Sequence, residues 1–207
     1  MPLSPPSSRR LPKLILASVS PRRREILMAA GIRFRVLATS VMETQKERER
    51  PRAFVRRLAE EKAAAAWDSL GPHCKNPVLG ADTVVVIGSK TLGKPTSAAD
   101  ARRMLRLLSG RRHKVLTGLC LLYRQGAVWK RDVRVASTTV KFRRLNRDEI
   151  ESYVASGEPL DKAGAYAIQG IASKYVEWIH GCYFNVVGLP VSLLYRMLKK
   201  AETTARK

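Results

Sequence analysis

Apolar residues along this chain follow two rhythms, short unbroken runs and helical stripes, and the two alternate. Leu14-Ile15-Leu16-Ala17 has the length and character of a buried strand. Ser20 and Pro21 then read as the N-cap and first residue of a helix. Its apolar stripe is Ile26, Leu27 and Ala30, and Gly31 stops it. Phe34, Arg35, Val36 and Leu37 predict a second strand. A charged loop, METQKERER, leads to Pro51 and a helix through about Trp67 with Phe54, Val55, Leu58 and Ala59 on its apolar face. The run VLGADTVVVI is short and β-branched, as a buried strand requires.

In SAADARRMLRLLSG, Ser97 as cap and Asp100 at the third helical position form a capping box, with Ala101, Met104, Leu105 and Leu108 facing inward. VLTGLCLLY and a strand returning from Ala127 join through Arg124-Gln125-Gly126. Asn146 and Glu149 make a second box before the helix IESYVAS. A small-residue strand precedes Gln169, extended segments flank a hairpin turn at His180-Gly181, and Pro190 opens a last helix ending near Lys200. These elements predict an α/β fold with a mixed sheet in one domain over residues 13–200. Residues 1–12, rich in Pro and Ser, read as a flexible tail, and 201–207 as a frayed terminus.

The tail lacks the apolar core of a secretory signal, and no run reaches the roughly 20 apolar residues of a membrane span. Cys74, Cys120 and Cys182 are scattered and odd in number, which fits indifferent thiols in a reducing cytoplasm. Charge changes the picture more. Against 17 acidic residues stand 39 Lys and Arg, a net +22 that favours an anionic partner. That partner can be a nucleic acid, a membrane surface or a small polyanion. The basic residues are spread along the chain, and aromatics are too sparse for a base-stacking platform.

Three arginines, Arg22, Arg23 and Arg24, fall in the first turn of the first helix, where the helix dipole already carries roughly +0.5 charge. Converging with backbone N–H groups there, they make an anion site; alternatively they fan into water. Asp82 stands inside an apolar strand, where a carboxylate is costly unless paired or metal-bound; a structural aspartate is the alternative. Lys62 falls on the apolar face of its helix, either snorkelling to solvent or reaching a carboxylate or phosphate in a cleft. Lys94, between Gly93 and Pro95, is a further candidate phosphate ligand. His73, His113 and His180 have no metal-ligand spacing, so any metal is a hard, oxygen-bound ion such as Mg²⁺ or Mn²⁺.

ILASVSPRRREIL, LAEEKAAAA, VLGADTVVVI, LGKP, LSGRRHKVLTG, PLDKAGAYAIQG and NVVGLP resemble, in order, the motifs of the Maf family across residues 14–195. The resemblance implies an elongated α/β fold whose mixed sheet lines a deep cleft, similar to inosine triphosphate pyrophosphatases. It implies hydrolysis of a nucleoside triphosphate to monophosphate and pyrophosphate, with a divalent cation, in a cytoplasmic homodimer without a stable nucleic acid partner. Asp82 matches the catalytic base, and Ser18, Arg22, Arg23, Lys62 and Lys94 the phosphate-binding positions. Glu43, with Asp82, matches the metal-binding carboxylates. Arg22, Thr83 and Gln169 fit the branch that hydrolyses dTTP and UTP, with modified pyrimidine nucleotides as further candidates. Two departures stand out. Met42 precedes Glu43 where the family has adjacent acids, and SVS replaces SAS or SGS. A basic nucleic-acid-binding module, or a nucleotide-binding protein without turnover, is the rival expectation.

Overall fold

A computed structural model describes residues 11–71 and 74–204. Strand β1 (Leu14–Ala17) leads to α1 (Pro21–Ala29), β2 (Phe34–Val36) and α2 (Pro51–Leu70). Then come β3 (Val78–Ile87), β4 (Lys90–Leu92), α3 (Ala98–Leu108), β5 (Arg112–Gln125), β6 (Val128–Phe142) and α4 (Arg147–Ala155). Three short 3-10 turns between Glu158 and Tyr175 precede β7 (Val176–His180), α5 (Tyr183–Val187) and α6 (Val191–Thr204). The strands form one sheet ordered β2-β1-β3-β5-β6-β7, with β4 also on β3. β1 runs parallel to β2 and β3, and the remaining pairs are antiparallel, so the sheet is mixed as expected.

Alternation along β3 gives the sheet two covered faces. On one, Val78 and Val84 meet Phe54, Val55, Leu58, Ala59 and Ala63 of α2. On the other, Leu79, Ala81 and Val85 join the larger core that includes α1, α3, α4 and α6. Each fully buried Leu or Val stabilises by about 1.5–3 kcal/mol.

The approach of α2 to the sheet depends on two missing side chains. A Cβ on Gly80 would lie 2.0 Å from the carbonyl oxygen of Ala59 and 2.7 Å from the nitrogen of Ala63. One on Gly118, in β5, would lie 2.2 Å from the carbonyl oxygen of Val55. The helix backbone therefore rests directly on the strands, and short alanines fill what space remains. Gly118 is also the register partner of Asp82. The notch thus sits beside the carboxylate.

Several local expectations change. Ser20 makes no side-chain cap on α1; its N–H donates to Ser18 Oγ instead. Ala30 is exposed. Ser97 caps α3, but the Asp100 carboxylate accepts from Thr96 N–H and Arg103, leaving the box half made. The Asn146–Glu149 box is complete. β4 adds a short strand after β3, and Gln169 follows 3-10 turns where a strand was expected. No hairpin forms at His180-Gly181, because α5 begins two residues later and packs back on the sheet. The last helix continues to Thr204. Residues 1–10 of the expected tail, 205–207 of the expected frayed end, and His73 lie outside the described residues. Leu11 packs partly against the core.

Candidate active site

Because α2 lies so close to β3, Lys62 on its buried face projects over Asp82. Lys62 does not snorkel: its Nζ donates to Asp82 Oδ1 at 2.7 Å and to Glu43 Oε1 at 2.5 Å. One ammonium therefore bridges a carboxylate from a central strand and another from the loop after β2. Asp82 is 6% exposed, and burial raises its carboxyl above the ordinary value against the opposing pull of Lys62 and Arg23. At Glu43, partial burial acts upward, but Lys62, Lys94 and Arg23 outweigh it and hold the carboxyl below its ordinary value. Two carboxylates on one lysine thus have opposite shifts, a separation suited to distinct roles.

Strand alternation turns Thr83 to the opposite face from Asp82. There its hydroxyl accepts from Arg23 Nη2 at 3.1 Å and lies 3.0 Å from Thr117 Oγ1. Arg23 is itself buried. Its Nε donates to the Gly188 carbonyl at 2.9 Å and its Nη1 to Ser18 Oγ at 2.9 Å. Each guanidinium nitrogen makes one of these bonds, so Arg23 ties α1, β3 and the loop after α5 together.

These groups open onto one cleft of about 570 Å³. Ser18, Arg22 and Arg23 line it from the start of α1, and Glu43, Lys62, Asp82 and Thr83 from the α2–β3 side. Lys94 and Gln169 line it as well, so of the residues singled out in the sequence for phosphate, metal or base contacts all but Arg24 line the same cavity. Arg24 does not line it and is exposed, so two of the three arginines face the cleft.

Lys162, Asp161, Tyr166 and Gly188 also line the cleft and were not singled out in the sequence, although three of them lie in the motif PLDKAGAYAIQG. Ala165 in that segment has φ +60° and is wholly buried, a costly backbone state for a residue with a Cβ. It precedes Tyr166, whose hydroxyl lies 2.8 Å from His113 Nε2 behind the cleft wall. Burial pushes His113 down to about 4, so it is neutral at pH 7. The three cysteines are free, and burial pushes the Cys120 thiol up to about 12.

Among the described residues, no three His, Cys, Asp or Glu side chains gather as a metal site. None of the helices there is long and apolar enough to cross a membrane.

A dTTP/UTP pyrophosphatase of Anaeromyxobacter dehalogenans is 47% identical over 92% of this chain and 94% of its own. Relatives of the same name from Bacillus cereus and Thermococcus kodakarensis are each 46% identical, covering 91% and 89% of this chain and 95% and 94% of theirs. Among solved structures, the Staphylococcus aureus Ham1 protein covers 91% of this chain and 98% of its own at 13% identity, with a TM-score of 0.47. That likeness is too loose to carry an argument. The family model described as Maf-like protein matches residues 13–201, and the chain belongs to the Maf family.

Proposed function

We propose that this chain hydrolyses dTTP and UTP to the nucleoside monophosphate and pyrophosphate. The observation that carries the proposal is the buried Asp82 carboxylate, raised by burial and held by Lys62 at the base of a cleft lined by cations. Asp82 takes a proton from the water that attacks the α-phosphorus. The bond from that phosphorus to the α–β bridging oxygen breaks, and pyrophosphate leaves with the electron pair. General-base help of this kind contributes about 10²–10⁴-fold. Cations in the cleft stabilise charge developing on the departing pyrophosphate.

Glu43 and Asp82 are the residues that would hold a divalent cation. Both offer oxygen only and meet at one ammonium, which fits a hard ion such as Mg²⁺ or Mn²⁺ that takes one or two carboxylates and completes its shell with water and phosphate. When bound, such an ion supplies charge neutralisation at the phosphates. Met42 is 80% exposed, so the missing adjacent acid leaves Glu43 as the carboxylate contributed by that loop.

Gln169 reads the base. Among the described residues its exposed amide has no hydrogen-bond partner, although it lines the cleft, which leaves a donor and an acceptor for the O4 and N3–H edge of uracil or thymine. Arg22 faces the phosphates, while Thr83 acts on recognition through the Arg23 it holds. The homodimer belongs to the same proposal, supported by exposed Trp178, Tyr183 and Phe184 on β7 and α5.

A pyrophosphate-release assay over UTP, dTTP, CTP and GTP with Mg²⁺ or Mn²⁺ tests the proposal. The pyrimidines UTP and dTTP should give the highest kcat/KM. Tight nucleotide binding without release would favour the non-catalytic rival. Strongly salt-dependent capture of nucleic acid without release would favour the basic binding module.

A further inference from the structure

Five cations line the cleft, and their commitments differ. Arg23 uses three of its five N–H groups on Gly188, Ser18 and Thr83. Lys62 is divided between Asp82 and Glu43. Lys94 is exposed and has no ion-pair partner among the described residues. The remaining two, Arg22 and Lys162, converge on a single carboxylate. Arg22 Nη1 lies 3.7 Å from Asp161 Oδ2, and Lys162 Nζ bonds Asp161 Oδ1.

Exposure separates the members of this triplet. The side chains of Arg22 and Lys162 are 25% and 15% exposed, so they belong to the cleft wall, whereas Asp161 is 65% exposed at its rim. A solvated carboxylate is the partner that gives up its cations most cheaply, since water receives it and exposed ion pairs are worth only about 0–1 kcal/mol. A phosphate oxygen carries more charge and offers several acceptors to the same two donors.

We infer that Arg22 and Lys162 form a subsite for the pyrophosphate portion of the triphosphate, with Asp161 as the placeholder that occupies them when no ligand is bound. Lys162 is therefore a substrate-contacting residue beyond those singled out in the sequence. Asp161 makes the pair pay for leaving it, which weakens binding of substrate and product together and speeds pyrophosphate release. The inference rests on the nucleotide-cleft reading but concerns a different exchange of partners.

The test is calorimetric titration of inorganic pyrophosphate into the intact protein, without nucleotide, so that its result does not depend on turnover. Lys162→Ala and Lys162→Met should each weaken pyrophosphate binding by about tenfold or more, with melting temperatures near wild type. Asp161→Asn should tighten it by about two- to five-fold. In an Arg22→Ala, Lys162→Ala background, Asp161→Asn should no longer tighten binding. Unchanged affinity in both Lys162 variants would overturn the inference, as would tightening by Asp161→Asn that persists without the two cations. Weaker binding in Asp161→Asn would also overturn it. If wild type binds pyrophosphate in this pattern yet hydrolyses no nucleotide, the proposed function fails while the subsite stands.

Discussion

Lys62 Nζ and Asp82 Oδ1 meet at 2.7 Å from a helix and a strand that touch backbone to backbone. Both side chains are largely buried, and Lys62 also holds Glu43, so the ammonium keeps a carboxylate partner when Asp82 is replaced. Gly80 and Gly118 allow the approach that brings them together.

Gly80→Ala should therefore affect the site as well as the core. Its Cβ would need the space of the Ala59 carbonyl, and overpacking of this kind costs about 1–3 kcal/mol. Thermal melting should fall, and turnover should fall further than KM changes, because Lys62 is lifted from Asp82. Unchanged melting would contradict the close contact of Gly80 with the Ala59 carbonyl.

The two arginines at the start of α1 should separate cleanly. On the dipole argument alone, removing either cation would relieve the helix N-terminus. Arg23, however, makes three hydrogen bonds from a buried position, so Arg23→Ala should cost about 1–3 kcal/mol of stability, read by denaturant unfolding. Arg22→Ala should leave stability near wild type and raise KM for the triphosphate. Equal stability of the two variants would contradict the structural role of Arg23.

The sequence made the chemistry easier to see than the geometry behind it. Asp82 and Lys62 stood out because a charge on an apolar stripe or run has to be explained, and the explanation proved mutual. Arg23 was visible as one of three adjacent arginines and, through the resemblance, as a phosphate-binding position, but not as a structural tie. Its partners lie 165 residues away at Gly188 and 60 away at Thr83, separations that no local pattern encodes. The hairpin expected at His180-Gly181 failed for a related reason: apolar residues in α5 are too few to show a helical period, and contacts with β5 and β6 decide their form. Strands β1 and β3 were legible nearly to the residue, since runs buried on both faces need no periodicity.

The opposed shifts at Asp82 and Glu43 give pH dependence two signs. A general base must be ionised, so kcat/KM should fall on the acid side through a midpoint above the ordinary carboxylate value, set by buried Asp82. Lys62→Met removes a cation that pulls Asp82 downward, so the midpoint should move further toward neutrality. For stability, raised Asp82 contributes most when protonated, and that contribution is lost as pH rises through its folded-state pKa. Glu43, held low, contributes above its unfolded pKa and loses this as pH falls through its folded-state pKa. An acid limb at the ordinary carboxylate value, unmoved in Lys62→Met, would contradict the assignment of Asp82 as the titrating base.

Gln169→Glu tests base recognition while preserving size. Loss of the amide donor should cost UTP and dTTP about 1–3 kcal/mol in kcat/KM, with CTP and GTP less affected. Equal losses across the four nucleotides would remove Gln169 from the recognition surface.

The central claim is that Asp82 drives release of pyrophosphate from a pyrimidine triphosphate, and Asp82→Asn tests it most directly. The amide keeps the shape of the buried carboxyl and removes a charge that burial disfavours, so the variant should melt at or above the wild-type temperature near neutral pH. Nucleotide binding should persist or tighten with one less negative charge facing the phosphates. Pyrophosphate release from UTP and dTTP should fall by at least ~10²-fold. Release near the wild-type rate from a folded, nucleotide-binding Asp82→Asn protein would contradict the account.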